Sequence, residues 1–171
     1  MKLSDYNELL NKWFKARNLQ SLDPKNQLLK TFEETGELLE AIECLNIDEA
    51  ADAIGDIYVS LIGLQIQLKQ ELWTNSDYKR SNGLTPLMQQ LCSLANQLSR
   101  GGTAEIGIIL AFGYLEGVAS KFNMDLEDCV AGAWDEIKDR RGLVIDGIFV
   151  KYNDLSEQEQ AVVDMTQELA F

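Results

Sequence analysis

Glu33, Glu34 and Glu37, followed by Glu49, Asp52 and Asp56, are the residues of this chain whose types and spacing could do chemistry. Glu34 and Glu37 are three apart and Glu33 and Glu37 four apart, so they project from one side of a helix. Glu49, Asp52 and Asp56 fall at i, i+3 and i+7, a second stripe of the same kind. Like charges so placed repel by roughly 0.2–0.5 kcal/mol per pair, so stacking them calls for a compensating partner. A divalent cation is the natural one. An acidic run on a helix is ordinarily a solvated face. Here, however, Phe32, Leu38, Leu39, Ala41 and Ile42 crowd round the first set, and Ala50, Ala51, Ala53, Ile54, Ile57 and Val59 round the second. Gly36 and Gly55 lie inside the two helices, where glycine costs about 1 kcal/mol relative to alanine. That cost is understandable if the two backbones approach closely beside the carboxylates.

The elements that must position these acids can be read from caps and periodicity. Ser4 is a plausible N-cap for a helix to about Asn18, with Leu9, Leu10, Trp13 and Phe14 on one face. Asp23-Pro24 starts the helix that carries Glu33 to Glu40 and runs to about Leu45. Asp48 caps the next, whose apolar pattern continues to Leu72 or Trp73. Residues 74–84 read as a loop. Thr85-Pro86 opens a helix to about Ser99, and Thr103 caps an almost wholly apolar one to Phe122 that should be buried. Asp125 caps a further helix, Asp146-Gly147 marks a type I′ hairpin, and Ser156 with Glu159 forms a capping box for a last helix to about Leu169. The expectation is one all-α domain over residues 1–171, a helical bundle with a short β-hairpin and terminal helix near the end.

Composition narrows the chemistry. The chain has 171 residues, 46% hydrophobic, with two prolines and a net charge of −13. Such a charge argues against a polynucleotide or an anionic membrane as partner, because both are bound through clustered Lys and Arg. A single nucleotide stays admissible, since a metal can neutralise both sides. There is no histidine, so a metal site here is all oxygen and favours Mg²⁺ or Mn²⁺ over zinc. Ser-His-Asp and Cys-His catalysis are excluded in their usual forms. Cys44, Cys92 and Cys129 lack CxxC spacing and read as reduced thiols. With no signal-peptide pattern and no long apolar span, a soluble cytoplasmic protein is expected.

LLKTFEETGELLEAI followed by DEAADAIGDIYVSLIGL resembles the MazG-like, all-α nucleoside triphosphate pyrophosphohydrolases, whose signature is an ExxE helix followed by an ExxD helix. Glu34 and Glu37 match ExxE, and Glu33 supplies the frequent extra acid before it. In the second motif Glu49-Ala-Ala-Asp52 satisfies ExxD literally, whereas the family's aspartate usually precedes an apolar run, as Asp56 does. In that register Ala53 holds the glutamate position and Asp52 takes its place, so Asp52 and Asp56 are the favoured ligands and Glu49 a third candidate.

A second stretch, AWDEIKDRRG with GIFVK at 147–151, is similar to the W/Y-N-E-I-K-x-R-x-G and G-x-F-V-K segments of phage and bacterial members, with Asp135 where asparagine is common. Lys138 and Arg141, three apart on a helical face, would bind triphosphate, with Lys30 as a further candidate; on local grounds alone such cations complement a helix C-terminus. The resemblance covers the N-terminal half and the C-terminal third, while residues 75–120 match poorly.

What it implies is hydrolysis of a (deoxy)nucleoside triphosphate to monophosphate and pyrophosphate, with two or more Mg²⁺ or Mn²⁺ ions on Glu34, Glu37, Asp52 and Asp56. Glu33 would orient or deprotonate the water. Trp13, Phe14, Trp73 and Trp134 are candidates to stack on a base, although aromatics on an apolar helix face more often belong to the core. The likeness to phage sequences favours a purine, dGTP first, and implies a homodimer or homotetramer. The alternatives are a diphosphatase specific for dUTP or dCTP, and a helical regulatory protein whose acidic stripe meets a basic partner.

Overall fold

The computed structural model describes residues 1–73 and 83–167. Among them are seven α-helices, α1 (Leu3–Ala16), α2 (Pro24–Glu43), α3 (Ile47–Gln67), α4 (Leu84–Ser99), α5 (Glu105–Lys121), α6 (Leu126–Ile137) and α7 (Glu157–Thr166), and one antiparallel hairpin of β1 (Gly142–Ile145) and β2 (Ile148–Lys151). The all-α expectation with a late hairpin is met at that level.

Helix α3 is the axis of the bundle. Ile54, Ile57, Tyr58, Leu61, Ile62 and Leu64 are fully buried, and beyond Asp56 the helix is buried on nearly every side, the pattern of an element surrounded by others. It packs against α2, α6, α5 and α1. Fully burying one such side chain contributes about 1.5–3 kcal/mol, so this helix fixes where its neighbours sit. Two of its buried hydroxyls tie it to its neighbours. Tyr58 donates to Asn7 Oδ1 at 2.7 Å, Asn7 donates in turn to the Trp73 carbonyl, and Ser60 donates to Thr31 Oγ1 at 3.0 Å, tying α3 to α2.

Several helix starts follow the sequence. Asp23 accepts from the Lys25 amide with Pro24 as the first helical residue, Asp125 accepts from Glu127, and Ser156 with Glu159 closes a capping box. Asp146 (φ 50°) and Gly147 (φ 80°) both take the left-handed conformation that a type I′ turn requires. Others differ. Lys2 rather than Ser4 precedes α1, and α1 ends at Ala16 because Asn18 turns left-handed at φ 59°. Asn46, not Asp48, caps α3 by accepting from the Glu49 amide. Gly83 precedes α4 and Ala104 precedes α5, in place of Thr85 and Thr103. Helix α2 stops at Glu43, and α3 stops at Gln67 rather than Leu72 or Trp73, since Lys69 takes φ 56°. Beyond that break Trp73 is still buried, its amide donating to Gln65 Oε1 at 3.0 Å, so its hydrophobicity marks a return to the core and not a continued helix. The loop expected over 74–84 falls mostly outside the described residues, as does the end of the last helix near Leu169.

The two glycines act differently from one another. A Cβ on Gly55 would lie 2.3 Å from the Cys129 carbonyl oxygen and 2.9 Å from Ala133 Cβ, so the close approach there is between α3 and α6. Nothing lies within 4 Å of where a Gly36 Cβ would be. The expected α2–α3 contact through both glycines is therefore corrected. Gly55 seats α6, and Gly36 faces outward.

Candidate functional site

The site begins with the one acid of α2 that the bundle buries. Glu34 is 4% exposed because its position, between Thr31 and Leu38, faces α3. Its Oε1 pairs with the Lys30 ammonium at 2.6 Å, while its Oε2 is buried without a hydrogen-bond donor. Burial pushes the Glu34 carboxyl up to about 7; Lys30 opposes the rise, and the neighbouring carboxylates of Asp56 and Glu37 reinforce it. Lys30 also holds exposed Glu33 at 3.0 Å. Burial alone would lower the Lys30 ammonium, but the two glutamates outweigh it and keep the group above its ordinary range.

Asp56 meets this group from α3. It is half-buried, and burial pushes it up to about 6. The negative charge of Glu136 is the next cause, with Glu37 adding and Arg140 and Lys30 opposing. Neither Glu136 nor Arg140 is a candidate ligand by spacing, Arg140 standing out only as part of the basic stretch with Lys138 and Arg141. They come from α6 and the turn after it, pair with each other (Arg140 is 29% exposed), and reach Asp56 only because Gly55 lets α6 lie against α3. No spacing along the chain signals that contact.

The other candidates are placed as follows. Glu37 is exposed at the mouth of the cluster. Asp52 is exposed one turn before Asp56, with Oδ1 4.0 Å from where a Gly132 Cβ would be, so it borders α6. Glu49 is exposed in the first turn of α3, away from the buried acids. Lys138 caps the end of α6 and pairs with Asp135 at 2.6 Å. Arg141 lies beyond the helix, so the shared helical face expected for the pair is corrected: the chain leaves α6 at Ile137. It pairs with Asp164 of α7 at 2.8 Å and lies over the Tyr152 ring, 4.4 Å from its centroid.

A cavity of about 490 Å³ opens beside this corner, with Glu136, Arg140, Arg141, Lys151 and Tyr152 in its walls. Glu136 and Arg140 belong both to that cavity and to the charge environment of Asp56, so the two regions adjoin. Trp13, Phe14, Trp73 and Trp134 are instead buried in the core. Trp13 donates to the Ile137 carbonyl at 2.9 Å, and Trp73 stacks on Phe112 at 4.8 Å. Tyr152 is the aromatic that the cavity exposes.

The corner itself is held by Arg17, which the sequence reading also passed over. Only 4% exposed, it donates to the carbonyls of Arg140 (2.7 Å), Trp13 (3.3 Å) and Lys138 (3.4 Å) and lies over the Trp13 ring. Burial lowers its guanidinium to about 10, still charged at neutral pH. Carbonyls from the last turn of α1 and from the turn after α6 are what a planar, charged donor fork satisfies together.

Among the described residues, no three His, Cys, Asp or Glu side chains converge closely enough to hold an ion as they stand. The residues nonetheless fit a hard divalent cation. Glu34 keeps an unpaired buried oxygen, the available donors are all carboxylate, and the Lys30 ammonium stands beside Glu34 where a cation's charge would be felt. No helix among the described residues is long and apolar enough to cross a membrane. The chain matches no family model, no curated protein and no solved structure.

Proposed function

We propose that this chain is a divalent-metal-dependent nucleoside triphosphate pyrophosphohydrolase of the MazG-like all-α type, cleaving the α–β phosphoanhydride of a (deoxy)nucleoside triphosphate to monophosphate and pyrophosphate. The observation that carries the reading is the buried Glu34 carboxylate, raised in pKa together with Asp56 from the facing helix. Acids raised by burial and by neighbouring carboxylates are acids whose charge a bound cation would offset.

Glu34, Glu37 and Asp56 would hold Mg²⁺ or Mn²⁺, with Asp52 and Glu136 at the border as further oxygen donors. When bound, the metal supplies charge to polarise phosphate oxygens and to acidify a water. Lys30, beside Glu34, would meet a phosphate oxygen as a point charge. Arg140, Arg141 and Lys151 supply the cavity with cations for the remaining phosphates, and Tyr152 offers a ring to the base. Glu33, exposed and outside the buried set, would orient or deprotonate the attacking water. A purine, dGTP first, is the proposed substrate, on the likeness of the tail to phage members of the family.

Glu37→Gln should abolish Mg²⁺-dependent pyrophosphate release, assayed over the eight common triphosphates, while circular dichroism stays that of the native chain. Turnover retained by that variant would remove the site from consideration.

A further inference from the structure

We infer that Asp164 of α7 occupies the place of a phosphate group on Arg141, so that α7 is a strap over the cation-lined cavity and a polyphosphate ligand displaces it. The hairpin makes the arrangement. Its register sets Gly142 against Lys151, and the Tyr152 amide donates to the Arg141 carbonyl at 2.9 Å, so Arg141 and Tyr152 emerge side by side at the open end of the two strands. From α7, Asp164 then takes both. Its Oδ1 accepts from the Arg141 guanidinium at 2.8 Å and its Oδ2 from the Tyr152 hydroxyl at 3.0 Å. Every other ion pair among the described residues joins partners three or four apart on one stretch of chain. This one spans 23 residues and two elements, so breaking it frees a helix and not merely a side chain.

The groups that Asp164 holds are the ones a phosphate would engage. A guanidinium meets carboxylate and phosphate oxygens in the same planar, paired geometry. Arg141 also lies over the Tyr152 ring, 4.4 Å from its centroid, so while Asp164 holds it that ring face is covered as well. Lys151, exposed in the same wall, forms no ion pair among the described residues. A ligand with several phosphates engages Arg141 and Lys151 together, whereas Asp164 has one carboxylate to offer. Helix α7 is otherwise lightly held. Val163 is its only buried residue, Val162 and Met165 are exposed, and among the described residues its other side-chain hydrogen bonds to the rest of the chain come from Gln160 and Gln167. The docked strap therefore weakens the ligand's apparent affinity by the fraction of molecules it keeps closed. The inference rests on the reading of this cavity as a phosphate site, and not on hydrolysis.

Inorganic tripolyphosphate without metal is the probe, with calorimetry for affinity and hydrogen exchange of the amides of residues 157–166 for α7. Binding to the native chain should speed that exchange by roughly tenfold or more. Asp164→Asn should exchange fast without ligand and bind about threefold tighter or more, the worth of an exposed ion pair no longer opposing it. Arg141→Gln should also exchange fast, yet lose most of the binding. Glu157→Gln removes the same charge from an exposed position on the same helix and should leave both readings native. A native chain whose α7 exchange ignores tripolyphosphate, an Asp164→Asn chain that binds no tighter, or a Glu157→Gln chain that tightens as much would each overturn the strap. Pyrophosphate release from a nucleotide with α7 exchange unchanged would overturn it too and leave the hydrolase reading standing. Displacement of α7 by tripolyphosphate in a chain that turns over no nucleotide would uphold the strap and remove the hydrolase.

Discussion

Glu34→Gln should stabilise the protein at alkaline pH and leave it nearly unchanged at mildly acid pH. An acid raised on folding binds its proton more tightly in the native chain than in the unfolded one, so its contribution is favourable at low pH and is lost as pH climbs from the unfolded value toward the folded one. For Glu34 that window runs from 4.5 to about 7. At 1.36 kcal/mol per pH unit the full rise corresponds to at most ~3 kcal/mol. The value of about 7 already includes the opposition of Lys30, and solvent screening at the mouth of the cluster reduces the difference further, leaving ~1–2 kcal/mol. Glutamine keeps the shape and an oxygen for Lys30 without the charge. Urea denaturation in chelator should therefore show the variant about 1–2 kcal/mol more stable than the native chain at pH 8 and nearly equal to it at pH 4, and at pH 8 its Tm should stand roughly 2–8 °C higher. Adding Mg²⁺ should stabilise the native chain and not the variant. A variant less stable than the native chain at pH 8, or a difference that does not change with pH, would refute the account of Glu34 as a strained acid.

Gly55→Ala should cost ~2 kcal/mol or more, because the added carbon meets the Cys129 backbone and no flexible side chain can yield. Gly36→Ala should raise stability by up to ~1 kcal/mol, since it meets nothing there and improves helix propensity. Denaturation midpoints of the two variants, measured side by side, check both signs. Arg17→Met should lose ~2–4 kcal/mol, because the carbonyls of Trp13, Lys138 and Arg140 are left without their donor; a loss below ~1 kcal/mol would show that water replaces it.

How much of this was legible depends on the range of the interaction. Asp23-Pro24, Asp125, the Ser156–Glu159 box and Asp146-Gly147 are local devices, complete within four residues, and each does what its sequence says. The choice between Asn46 and Asp48, or between Gly83 and Thr85, depends on where the chain arrives from the previous element, which no local pattern records. The same division runs through the site. That Glu34 and Glu37 share a side of a helix follows from counting. That Glu34 is the buried one follows from packing against α3, and the acidic stripe of α3 separates, with Asp56 drawn inward and Glu49 left in solvent. Glu136, Arg140 and Arg17 act across 80 or more residues of chain, and only the folded structure reveals them. The aromatics show the reverse error, since a tryptophan suited to stacking on a base is equally suited to a core.

The contact at Gly55 also determines which wall of the cleft can adapt. Backbone touching side-chain stub across α3 and α6 leaves no room for those helices to slide, so the spacing between Asp56 and the Glu136–Arg140 pair is a fixed jaw. The opposing jaw carries Lys30, Glu33 and Glu37 on long, solvated side chains. In the proposed site, adjustment to a ligand's size would therefore fall to the α2 side chains and to Arg141, Lys151 and Tyr152 across the cavity.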